Sequence, residues 1–206
     1  MNNYLLSIDP SIKNTGFTLW EKQWYQNDIK SYPTYFRWKP ILIKSYSFKK
    51  YSTGVEISKS DYIYNNNFNY LILNQIEKEL DFQLGSKNSK SNFNLIIERG
   101  TFHSKNGIGY ETQEHLRGFI AGQFNKLLTK NMLISPSEWK KWYVKNDKYC
   151  SAITFVNGIN YKWDKNVSLF MCEYLIKENK WNIKISNHDE ADSLLIGWYY
   201  LNKENK

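Results

Sequence analysis

Apolar and polar positions fall into blocks of different period along this chain. Residues 4–8 (Tyr4-Leu5-Leu6-Ser7-Ile8) form a short apolar run that reads as a buried strand, turned by Pro10 and the polar Ser11 to Asn14. Residues 15–20 predict a second, returning strand. Residues 21–39, with Pro33 and many aromatics, have no clean period and predict an irregular excursion. Residues 41–48 alternate loosely and predict a third strand, which completes an antiparallel meander.

The period then changes. Phe68, Leu71, Ile72, Gln75, Ile76 and Leu80 fall at helical spacing within residues 61–84, and a polar linker follows over 85–92. Residues 94–97 predict a fully apolar strand ending at Glu98. Residues 99–110 hold three glycines and read as a loop. Leu116, Phe119, Ile120, Gln123, Phe124, Leu127 and Leu128 mark the clearest helical face in the chain. Gly118 and Gly122 lie within that helix, at a cost of about 1 kcal/mol each against alanine, and predict close contact with another element. Residues 132–135 predict a fifth strand stopped by Pro136, with a short helix over 137–140. Residues 145–165 are polar, aromatic and irregular; 167–177 and 189–201 are helical. The order β-β-β-α-β-α-β-α-α predicts an α/β fold: one domain over 1–206, with a five-stranded mixed sheet flanked by helices.

Four acids stand out against this pattern. Asp9 and Glu98 each end an apolar strand, and Asp189 and Asp192 lie three apart at the start of the last helix. A carboxylate at a buried strand end is costly unless it is paired or holds a cation. If the first and fourth strands are parallel neighbours, Asp9 and Glu98 meet in the crevice where open α/β sheets bind ligands. Oxygen ligands of this kind suit Mg²⁺, and two such ions about 3.5–4 Å apart activate a water and stabilise both oxygens in phosphodiester cleavage. The competing reading of Asp189 is a plain N-cap, with both acids doing no more than answering the helix dipole. His188 is a candidate assistant to the pair. His103 and His115 have no HExxH spacing, so a zinc hydrolase has no support.

Composition narrows the partners. The 28 Lys+Arg against 20 Asp+Glu give +8, which suits a polyanion, although a bias toward Lys, Asn, Ile and Tyr codons accounts for the charge as well. Two cysteines, Cys150 and Cys172, without CxxC, predict no disulfide framework and a reducing cytoplasm. A strand begins almost at the first residue, which leaves no room for a signal peptide, and no apolar stretch approaches ~20 residues, so no membrane span is expected.

The segments Leu6-Ser7-Ile8-Asp9-Pro10-Ser11 with Asn14-Thr15-Gly16-Phe17, Ile97-Glu98-Arg99-Gly100-Thr101-Phe102, Ser135-Pro136-Ser137-Glu138-Trp139-Lys140 and Asp189-Glu190-Ala191-Asp192-Ser193-Leu194 resemble, in order, the motifs of the RuvC family of Holliday-junction resolvases. That resemblance implies an RNase H-like fold and a homodimer. It also implies paired nicks in a four-way DNA junction, with Mg²⁺ or Mn²⁺ held by Asp9, Glu98, Asp189 and Asp192. Lys140 matches the family's basic residue near the scissile phosphate, and Lys165 matches a second. Phe102 lies one position from an aromatic that stacks on junction bases; Arg99, Lys105 and Lys141 are further candidates for DNA contact. The helix with Gly118 and Gly122 resembles the one that pairs subunits, though packing within the chain would explain those glycines equally. Residues 21–40 and 145–165 depart from the family's pattern. The alternatives are an RNase H-type or flap-processing nuclease of the same fold, or a protein that binds nucleic acid without cutting it.

Overall fold

The computed structural model describes residues 3–11, 14–25, 35–47, 66–85, 93–100, 107–157 and 163–203. Five strands form one sheet in the order β3-β2-β1-β4-β5. They are β1 (Tyr4–Asp9), β2 (Asn14–Tyr25), β3 (Tyr35–Ser47), β4 (Phe93–Glu98) and β5 (Leu133–Ile134). β1 pairs antiparallel with β2 and β2 with β3, while β4 runs parallel to both β1 and β5. Three antiparallel strands followed by two parallel ones are the arrangement expected of an RNase H-like fold.

Six α-helices among the described residues cover the sheet: α1 (Asn66–Leu84), α2 (Gly107–Gln123), α3 (Pro136–Lys145), α4 (Asp147–Asn157), α5 (Lys165–Glu178) and α6 (His188–Asn202). The strand period of two decides which side chain meets which layer. Leu6 and Ile8 of β1 pack with Phe17 and Leu19 of β2 against Ile72, Ile76 and Leu80 of α1 and Leu116 and Ile120 of α2. Leu5, Trp20 and Ile96 face the other way, into a cluster with Trp139, Tyr143, Met171, Cys172, Leu194 and Leu195 from α3, α5 and α6. Asp9 shares the parity of Leu5, and Glu98 that of Ile96. Both acids therefore lie on the face covered by α6.

Burial at 25 cal/mol per Å² gives each such apolar side chain roughly 1.5–3 kcal/mol, but a polar seam fixes the position of α6. The Ser7 hydroxyl donates to the Ser193 carbonyl at 2.7 Å and accepts from Trp20 Nε1 at 3.0 Å. The Thr18 and Ser193 hydroxyls are 2.8 Å apart, and Ser193 donates on to the Glu190 carbonyl. Gly197 makes the approach feasible: a Cβ there would overlap Trp20 Nε1 and Ser7 Oγ.

Several expectations need correction. Residues 21–25 and 35–39 are not irregular: β2 continues to Tyr25 and β3 begins at Tyr35, with Pro40 paired to Trp20 beside a register shift at Leu19/Trp20, and residues 26–34 lie outside the described residues. That irregularity and the loss of β1 as a neighbour beyond Glu21 blur the alternation. Residues 147–157 form a helix where an irregular stretch is expected, with Tyr149 and Ile153 buried one turn apart. Residues 107–110 belong to α2 rather than to a loop. The helix expected over 137–140 runs from Pro136 to Lys145. Gly118 and Gly122 are exposed, and a Cβ at either meets nothing within 4 Å, so close packing within the described chain does not explain them. Residues 61–65 of the expected helix and Phe48 lie outside the described residues. No helix among the described residues is long and apolar enough to cross a membrane.

Candidate active site

Parallel pairing of Ile8 with Ile97 sets Asp9 and Glu98 side by side at the carboxyl ends of β1 and β4. Their side chains share a hydrogen bond, and Asp9 also feels the charges of Asp192 and Asp189. Burial, then repulsion from Glu98 and Asp192, holds the Asp9 carboxyl well above the usual carboxylate range. Burial also raises Asp192, to about 6. The Ser168 hydroxyl and the Lys140 ammonium oppose that rise, and Glu98 and Asp189 add to it. One oxygen of Asp192, Oδ1, is buried without a hydrogen-bond partner among the described residues. Acids from both ends of the chain thus lie within electrostatic reach of one another.

The local reasons are specific. α6 is capped by Asn187, whose Oδ1 accepts from the backbone N–H of Asp189 and of Glu190, both at 3.0 Å. The N-cap reading of Asp189 therefore fails, because Asn187 fills that role and leaves the Asp189 carboxylate to point elsewhere. Asn14 Nδ2 donates to Asp189 Oδ2, and His188 Nε2 stands 3.4 Å from Asp189 Oδ1. Gly16, paired with Asp9, lets the start of α6 sit directly on β2; a Cβ there would collide with the Asp189 carbonyl.

Glu98 is held from two sides. Trp139, fully buried, donates its indole N–H to Glu98 Oε1 at 2.9 Å. Ser135 caps α3 by accepting from the Glu138 N–H, and Pro136 stands in its first turn, which directs Trp139 inward. Arg117, only 1% exposed, donates Nε to the Glu98 carbonyl at 2.6 Å and pairs with Glu114 at 2.8 Å. Burial lowers the Arg117 pKa, while Glu114, Glu98 and Asp9 oppose that. Gly100 makes room for its guanidinium.

Of the residues singled out in the sequence, Asp9, Glu98, Asp189, Asp192 and Lys140 come together, with His188 beside Asp189. Lys140 is half-buried, its Nζ 4.9 Å from the Trp139 ring. Lys141 does not join them: it lines a separate cleft with Glu138, Trp142, Lys145 and Tyr199. Lys165 opens α5 as an exposed residue, and Arg99 is exposed just after β4. Phe102 and Lys105 lie outside the described residues. Arg117, Trp139, Asn14 and Ser168 were not singled out by role. Asn14 and Trp139 lie inside the quoted motifs; a lone Arg or Ser in an apolar helix gives no comparable signal.

The donor set fits a hard divalent cation: oxygen ligands, mutual repulsion to be relieved, and an orphaned carboxylate oxygen. Among the described residues, however, no three acidic, His or Cys side chains stand drawn in around a single point.

No protein-family model and no curated protein sequence matches the chain. Among solved structures it is similar to Thermus thermophilus RuvC, at 12% identity and TM-score 0.49 over 98% of this chain and 96% of that one. The T. thermophilus RuvC complex with Holliday junction substrate is similar at 11% identity and TM-score 0.48, covering 97% and 96%. Fowlpox virus resolvase with its substrate Holliday junction DNA follows at 16% identity and TM-score 0.36, covering 98% and 99%. These neighbours are junction resolvases. At such scores they add nothing about chemistry, which rests on the geometry above.

Proposed function

We propose that this chain is a metal-dependent, structure-selective DNA endonuclease that resolves four-way or related branched junctions by paired nicks, acting as a homodimer in the cytoplasm. The observation that supports this reading is that Asp9, Glu98, Asp189 and Asp192, drawn from strand ends and a helix start, lie within electrostatic reach of one another and of Lys140. A module that only binds nucleic acid has no reason to gather acids where phosphate must lie.

In this reading Asp9, Glu98, Asp189 and Asp192 would hold Mg²⁺, or Mn²⁺ in its place, which would supply water activation and charge compensation at the phosphate. The remaining work belongs to the chain. Trp139 orients the Glu98 carboxylate, Arg117 fixes its backbone, and Asn14 orients Asp189. Lys140 stands near enough to Asp192 to offset its charge and to meet a phosphate oxygen entering the crevice. The net charge of +8 gives a salt-dependent grip on the DNA backbone. Branched DNA as the substrate rests on the ordered motifs.

The test offers a synthetic four-way junction, a flap, an RNA–DNA hybrid and plain duplex, each with Mg²⁺ and with EDTA. Symmetric nicks in the junction, lost with chelator, are expected. Cutting of the hybrid or flap alone would move the substrate elsewhere. Tight binding without product under all conditions would overturn the enzyme reading.

A further inference from the structure

Among the described residues β2 outruns β1: their pairing ends at Tyr4↔Glu21, with one further bond from the Lys22 N–H to the Asn3 carbonyl, while β2 and β3 stay paired through Tyr25↔Tyr35. A two-stranded ribbon therefore extends from the end of the sheet opposite the carboxylates. The pairs Lys22↔Trp38 and Trp24↔Phe36 share one face of it, and Gln23↔Arg37 and Glu21↔Lys39 share the other. Trp24 is 61% exposed and Phe36 47%, with their rings edge to face at 5.5 Å. Lys22 Nζ stands 3.7 Å from the Phe36 centroid and 5.2 Å from that of Trp24. Exposed Phe82, Phe119 and Leu127 have no such company among the described residues.

The charges indicate the occupant. Cations sit on both faces of the ribbon, and its acid, Glu21, already accepts from the Tyr4 hydroxyl and the Gln23 amide. A second protein docking flat would meet one face and gain nothing from the other. A DNA groove presents phosphates along both walls, and the major groove, about 12 Å wide, admits a two-stranded β-ribbon. The exposed rings then lie where thymine methyls and base edges are, and Lys22, steadied over them, keeps N–H donors for a phosphate.

We propose that this ribbon enters the major groove of a duplex DNA arm about eight base pairs from the carboxylate crevice. Gly16 pairs with Asp9, and Trp24 follows eight residues along β2, about 26 Å at ~3.3 Å per residue, the rise of about eight base pairs at ~3.4 Å. Only the register from the cut site depends on the nuclease reading; duplex binding by the ribbon does not.

Fluorescence anisotropy in EDTA tests it, with junctions whose arms are about 6 or about 16 base pairs, shorter or longer than that reach. The wild type should bind the long-armed junction about tenfold more tightly. The Lys22→Gln/Trp24→Ala/Phe36→Ala variant should lose that gain yet cut the short-armed junction at the wild-type rate. Lys22→Glu, which removes no ring, should lose it too and guards against misfolding of the triple variant. No arm-length gain in the wild type, or its retention in both variants, overturns the proposal. So does conversion of a dimer to a monomer in sedimentation of either variant, which would give the face to a second copy. An arm-length gain without any nick in Mg²⁺ would sink the nuclease reading and leave the groove contact standing.

Discussion

Ser7 and Asp9 are two residues apart on one face of β1, and both lie under α6, yet their surroundings are opposite. Around Ser7 the buried polar atoms of Thr18, Trp20 and Ser193 find partners in one connected seam. Around Asp9 there are three more carboxylates, Glu98 in hydrogen-bond contact among them, and an oxygen on Asp192 without a partner among the described residues. A satisfied polar network specifies where a helix sits. A frustrated one costs stability and persists only where something outside the chain relieves it. In the nuclease reading, the contrast separates the part of the interface that builds the fold from the part that would hold the metal.

Gly16 and Gly197 serve both regions, and the largest effect is expected there. Gly16→Ala forces a methyl into the Asp189 backbone, so α6 must shift, taking Asp189 and Asp192 with it. Thermal unfolding should show a loss of about 1–3 kcal/mol, as for overpacking, and junction cleavage should vanish with it.

The next two substitutions separate the regions. Ser7→Ala leaves the Trp20 indole N–H without its partner and should cost about 1–3 kcal/mol at any pH. Asp9→Asn should abolish cleavage, keep junction binding, and raise the unfolding temperature of the metal-free protein at neutral pH. The sign follows from the raised carboxyls. With Asp192 at about 6 against an ordinary 3.8, and Asp9 also raised, the native state binds more protons than the unfolded chain between those values. Metal-free stability therefore falls as pH rises from about 4 through about 6. Asp9→Asn should flatten that slope, and Ser7→Ala should leave it intact.

The smallest effect concerns orientation. Trp139→Phe keeps the ring in the core and removes only the N–H bond to Glu98, so stability should drop by about 1 kcal/mol. Activity with Mg²⁺ should fall by roughly 10–100-fold, the range for a group that orients a metal ligand. Unchanged kinetics would leave Trp139 a packing residue.

The strand ends were readable because β1 and β4 keep a simple rule: apolar residues to the end, then an acid. The lower half of the β2–β3 pair was not, because beyond Glu21 only Trp38 among the described residues still packs on the core, so Lys22, Trp24 and Arg37 follow no burial period. α4 hid its helix among aromatics, although Tyr149 and Ile153 keep a one-turn spacing just after Asn146, whose side chain accepts from the Lys148 N–H. Asp189 shows the limit of local reasoning. Its position fits a cap, and only the three-dimensional contact with Asn14, with Asn187 taking the capping bonds, shows that its carboxylate is turned to other use.

Thermal unfolding with increasing Mn²⁺, above pH 7, measures the central claim most directly. Relief of the four acids by a cation should raise the unfolding temperature of the wild type in a saturable way, by ligand binding to the native state, and Asp9→Asn should respond far less. An equal response from both proteins, or none from either, would mean that these carboxylates do not hold a metal.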